Sequence, residues 1–79
     1  MLERLQKIFR KVFIDEKLII DENTSAKDIR MWDSLTHLEL ISAVEEEFKL
    51  KFTFNEVMNF ENVGEMMSVI KIKDRKSVV

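Results

Sequence analysis

An all-α fold of four helices, three longer and one short third helix, is predicted by three features of this sequence. Apolar residues recur at helical spacings of three, four and seven, with charges between them. Thr53 and Asn62 each precede a glutamate by three residues, a pairing that opens helices. The chain holds one glycine and no proline, which argues against β-sandwiches and their many turns.

A first helix is expected over 2–13, where Leu2, Leu5, Ile8, Phe9, Val12 and Phe13 form an apolar face. From 14 to 33 the rhythm fails. Asp15, Asp21, Asn23, Thr24, Ser25 and Asp28 mark a long loop there, with Ile19, Ile20 and Ile29 available to pin it to the core. Loops of such length tend to be functional. The second helix is expected over 34–48, behind Asp33 as N-cap. Lys49 to Phe52 alternate too briefly for a strand. Thr53 and Glu56 then predict a short helix over 54–59. Asn62 and Glu65 open the fourth, where Val63, Met66, Met67 and Ile70 share a face until Lys71 or Lys73. Residues 74–79 are expected to fray as a tail.

With 79 residues, one domain with one modest core is expected, and a nucleotide-binding domain plus a substrate site would not fit. No cysteine is present and His37 is the only histidine, so disulfides, thiolate metal sites and histidine metal clusters are not expected. The net charge of −2 conceals an uneven layout. Residues 1–13 hold one acid against four bases, as do residues 71–79, while 14–70 hold thirteen acids against five bases. That acidic centre disfavours nucleic acid and would steer a basic protein partner. No apolar run approaches the roughly 20 residues of a membrane span, and the N-terminus lacks a signal-peptide core. A cytoplasmic location is therefore the expectation.

The second helix is the most informative segment. At about 100° per residue, with Ser34 at zero, Leu40, Ile41, Val44 and Phe48 fall between about 240° and 340° and form its buried stripe. Leu35, Glu39, Ser42 and Glu46 fall on the other side, between about 80° and 140°. An apolar residue ringed by carboxylates at the head of a helix suits a docking anchor, charge steering the partner and Leu35 holding it. Ser34 lies in the first turn, where free amides and the helix dipole would favour a phosphoester. Neither a Gly-x-Ser-x-Gly elbow nor a second histidine accompanies it, so a hydrolase is not indicated.

The stretch Asp33-Ser-Leu-Thr-His-Leu-Glu-Leu-Ile-Ser-Ala-Val-Glu-Glu-Glu-Phe48 resembles the signature of acyl carrier proteins and their peptidyl and D-alanyl relatives. In that family a serine in Asp-Ser-Leu heads the second helix. The helix–long loop–helix–short helix–helix layout is similar too. The resemblance implies a non-catalytic carrier of the acyl-carrier fold, with 4′-phosphopantetheine from coenzyme A esterified to Ser34. Its thiol would carry acyl groups for fatty acid, polyketide or other specialised biosynthesis, or alternatively aminoacyl, D-alanyl or peptidyl groups. Asp33 would assist the modification. Leu35, Glu39, Ser42 and Glu46 would dock phosphopantetheinyl transferase and acyl-transferring and acyl-modifying enzymes through their basic patches. A monomer is expected. Trp32, Thr36, Lys49, Lys51 and Thr53 depart from the pattern of fatty-acid-synthesis carriers and favour a specialised stand-alone carrier. An unmodified helical interaction module is the alternative outside the family.

Other residues have plainer readings. His37 could line the mouth of an acyl pouch, but hydrogen bonding at the loop edge is favoured. Trp32 is expected to anchor its loop. Met58, Met66 and Met67 are expected in the core, Phe52 and Phe54 in the core or hinge of the short helix, and the basic termini in solvent.

Overall fold

The computed structural model describes the backbone of residues 1–77 and the side chains of residues 1–73. Four helices follow one another: α1 (Leu2–Val12), α2 (Ser34–Phe48), α3 (Phe54–Met58) and α4 (Val63–Ser77). The described residues form no strand, only an isolated bridge between Ser25 and Asn62. None of their helices is long and apolar enough to cross a membrane.

All four helices bury their apolar faces in one core. Phe9, Leu5, Leu40, Met66, Ile70, Val44 and Val63 are its largest fully buried side chains. Leu40, Ile41 and Val44 are buried on α2 as the helical spacing predicted, with Phe48 half-buried beside them. Met66 and Met67 lie in the core, but Met58 is 64% exposed. Phe54 is exposed as well, whereas Phe52 is half-buried edge-on to Phe60 at 5.1 Å. The reason is the shortness of α3, whose five residues bury Val57 alone.

The end of α1 is unusual. Ile14 N donates to Lys11 O at 3.4 Å and Asp15 N to Arg10 O at 2.9 Å. This pair of bonds closes a helix through a left-handed residue, where glycine is usual. Here the residue is Ile14, with φ of 51°. A β-branched side chain resists that conformation, and Ile14 gains little in return because it is 91% exposed. Ile14→Gly should therefore stabilise the protein by about 1 kcal/mol, read as a melting temperature higher by about 5 °C.

The long loop is held by both apolar and polar contacts. Ile20, Ile29 and Trp32 are buried, but Ile19 is exposed and does not pin the loop. Gln6 Oε1 accepts from Ile20 N at 3.0 Å, and Arg10 Nε donates to Leu18 O at 2.7 Å. At the other end the loop meets the start of α4, where Val63 N donates to Thr24 O at 2.9 Å and Gly64 N to Glu22 O at 2.8 Å. Amides that a helix start leaves unpaired are satisfied in this way. The approach is close enough that a Cβ at position 64 would stand 3.0 Å from Glu22 O, which explains the glycine.

Both helix-start signals are present. Glu56 N donates to Thr53 Oγ1 at 3.2 Å and Thr53 N to Glu56 Oε1 at 2.7 Å. Asn62 Oδ1 accepts from Glu65 N at 2.9 Å, but the Glu65 carboxylate turns to Glu61 N at 3.2 Å, which leaves that box half closed. α4 continues to Ser77, past the expected end at Lys71 or Lys73, because no glycine or proline interrupts it. Of the expected tail over 74–79, the backbone as far as Ser77 belongs to α4, while residues 78–79 and the side chains of 74–77 lie outside the described residues. The basic ends are not wholly solvated. Arg4 pairs with Glu47 at 2.9 Å and Lys73 with Glu56 at 2.8 Å. The first pair is exposed and contributes about 1 kcal/mol or less, whereas the second is partly buried.

Candidate functional site

The head of α2 is built by Asp33 and Thr36. Asp33 ends the loop in extended backbone, with φ of −118°. Its Oδ1 accepts from Leu35 N and from Thr36 N, each at 3.0 Å. Thr36 Oγ1 accepts from Asp33 N at 2.8 Å and donates to Met31 O at 2.7 Å. Threonine thus closes a capping box that glutamate or glutamine usually closes. The Thr36 departure has a structural role.

These bonds act on the Asp33 carboxyl. The Thr36 amide, above all, holds it below the ordinary carboxylate value, against some desolvation. A carboxyl lowered on folding stabilises the fold above its unfolded value of about 4 and loses that effect as the pH falls through the lower folded value. Replacing Asp33 by Asn should therefore flatten the fall of melting temperature on acidification below about pH 4.

Ser34 is exposed and is the first residue of α2. The hydrogen bonds of the turn run through Asp33 and Thr36 and, among the described residues, leave the Ser34 hydroxyl uncommitted. One expectation needs correction. The Leu35 and Thr36 amides are already occupied by Asp33, so a phosphoester on Ser34 would feel the helix dipole without those two donors.

Leu35 is 67% exposed, and Glu39, Ser42 and Glu46 are exposed on the same side of α2. The sequence pattern had not singled out Leu38, which is 57% exposed. At about 40° from Ser34 it stands clear of the buried stripe, so the same helical projection contained the signal. Met31, just before Trp32, adds a further exposed apolar side chain.

Trp32 anchors the loop as expected. It is buried, edge-on to Phe9 at 5.4 Å between ring centroids and tilted on Phe13 at 6.1 Å. Its Nε1 donates to His37 Nδ1 at 3.0 Å, with the two rings side by side and their planes 19° apart. His37 Nε2 lies 2.8 Å from the Val57 carbonyl oxygen. His37 is therefore a hydrogen-bonded bridge at the loop edge.

The head of α2 thus presents an exposed hydroxyl with no hydrogen-bond partner among the described residues, on a bundle of four helices. Residues 3–70 match the family described as "Phosphopantetheine attachment site", and the chain belongs to that family. The holo acyl carrier protein from Geobacter metallireducens, solved by NMR, is 38% identical, with a TM-score of 0.90 over 98% of this chain and 88% of its own. A putative acyl carrier protein from Mycobacterium tuberculosis shares the fold at 22% identity, with a TM-score of 0.80 over 90% of this chain and 95% of its own. The protein is thus a non-catalytic member of the acyl carrier protein family, whose cofactor is covalently attached 4′-phosphopantetheine.

Proposed function

We propose that Ser34 is the attachment residue and that the chain is a cytoplasmic, monomeric carrier of acyl groups between enzymes of fatty acid, polyketide or another specialised acyl biosynthesis. The observation that supports it most is the free Ser34 hydroxyl, exposed in a turn where the Asp33 and Thr36 side chains are engaged. Those residues fit the cofactor, since a phosphodiester needs an accessible hydroxyl and the helix start is positively polarised. Once attached, the group supplies a thiol that holds an acyl group as a thioester.

The chain's own residues orient and present that hydroxyl. Asp33 fixes the turn and keeps an ionised carboxylate beside Ser34. In this reading it assists modification, where the transferase uses magnesium. Leu35 provides the apolar contact, while Glu39 and Glu46 steer basic patches of phosphopantetheinyl transferase and acyl-handling enzymes toward Ser42 and its neighbours. An acyl load is favoured over aminoacyl, D-alanyl or peptidyl loads because the 38% identical relative is an acyl carrier protein.

The test is direct. Incubated with coenzyme A and a broad-specificity phosphopantetheinyl transferase, the intact protein should gain the mass of one phosphopantetheine. Ser34→Ala should gain none. An unchanged wild-type mass would favour the unmodified interaction module.

A further inference from the structure

α3 has five residues, too few for a helix to persist by itself in water. Val57 is its single buried side chain, so polar ties must hold it in place. Before its start, Phe52 N donates to Glu45 Oε2 of α2 at 2.8 Å. Glu56 pairs with Lys73 of α4 at 2.8 Å. Toward its end, the Val57 carbonyl oxygen is bound by His37 of α2 at 2.8 Å.

Trp32 decides which His37 nitrogen carries the proton. An indole N–H can only donate, so His37 Nδ1 must be the acceptor of their 3.0 Å bond. The neutral ring then bears its proton on Nε2, and that N–H donates to the Val57 oxygen. Trp32 is a fixed post, packed on Phe9 and Phe13. The imidazole reaches from this post to α3, one helical turn beyond Ser34. Exposed apolar residues flank the bond on both elements, Leu38 next to His37 and Met58 next to Val57.

We propose that Trp32, His37 and the Val57 carbonyl form a latch that holds α3 down as a lid, and that the lid shields the apolar tail of a load attached at Ser34. The shielding rests on the carrier reading; the latch does not. An element seated by one side chain and a few hydrogen bonds belongs to the least stable part of a fold and opens locally. His37 is a positioning residue here and performs no chemistry on the load.

Two measurements on the unmodified protein decide the latch. Nitrogen NMR of the His37 ring should show a protonated Nε2 and a bare Nδ1; protonation on Nδ1 instead overturns the proposal. By hydrogen exchange, His37→Ala should open the amides of Val57, Met58 and Asn59 roughly tenfold faster, with α1 and α4 unchanged. His37→Gln, whose amide offers one acceptor and one donor, should restore slow exchange. Equal exchange in wild type and His37→Ala, or no rescue by Gln, overturns it. Should His37→Ala unfold, Trp32→Phe removes the indole donor together with part of a buried ring, and should speed exchange in α3 more than in α1.

The shielding is tested on protein carrying an octanoyl thioester. His37→Ala should lose it to hydrolysis several-fold faster than wild type, and His37→Gln at the wild-type rate. Equal rates in all three overturn the lid. If the wild-type chain never accepts the prosthetic group, the shielding fails together with the carrier reading, while exchange still decides the latch.

Discussion

Phe9→Ala is expected to lower the melting temperature by roughly 20 °C, a far larger loss than any truncation on the surface should cause. Phe9 is fully buried and contacts Phe13 and Trp32 at centroid distances of 5.8 and 5.4 Å. Removing a buried aromatic ring typically costs about 3–5 kcal/mol, the lost transfer energy plus that of the cavity left behind. A domain of this size has only about 4–12 kcal/mol to lose. The loss would also reach the functional end, because Trp32 rests on this ring and supports His37 in turn. Phe54→Ala is the matched control. Its ring is exposed on α3, so its removal should change stability by less than about 0.5 kcal/mol. Thermal melts followed by far-ultraviolet circular dichroism compare the two. Equal effects would mean that the aromatic core is wrongly placed.

The second large effect concerns docking. Glu39→Lys is expected to slow modification by the transferase by about tenfold at low salt, with the difference shrinking as salt is raised. Glu39 is exposed and no ion pair among the described residues engages it, so its charge is available to a partner. Leu35→Ala should weaken the same encounter without that salt dependence, because an apolar contact is not screened. Neither change touches the core, and the helical circular dichroism of both variants should match wild type. A variant that modifies at the wild-type rate at every salt concentration would remove that residue from the docking face.

Much of this architecture is legible in the amino-acid sequence, wherever one residue type has one local consequence. Asp33 and Thr53 announce helix starts because their side-chain oxygens suit unpaired amides, and both make those bonds. Leu40 and Val44 are buried because the helical period places them together. The misreadings arise where a competing contact decides. Ile19 and Ile20 are neighbours of the same type, yet only Ile20 is buried, its amide fixed by Gln6 fourteen residues earlier. Ile14 closes α1 in a conformation that its own side chain opposes, which propensity alone would never suggest. Met58 reads as core until α3 proves too short to have two buried sides.

The functional end divides in the same way. Leu35, Glu39, Ser42 and Glu46 could be placed on one exposed side from spacing alone, and all four are exposed. The part of Thr36 could not be read so, because threonine closes the box from a position where glutamate or glutamine is the usual signal. The Trp32–His37–Val57 chain was equally hidden. It joins residues twenty positions apart through a backbone carbonyl, a group that every residue carries and no pattern marks.

The central claim is that this protein works as a tether at one particular hydroxyl. Fragment mass spectrometry of the protein purified from its own cells tests it most directly. A phosphopantetheine mass localised to Ser34 is the predicted result. The same mass on Ser25, Thr36 or Ser42, or its absence while an active transferase is present, would contradict the claim.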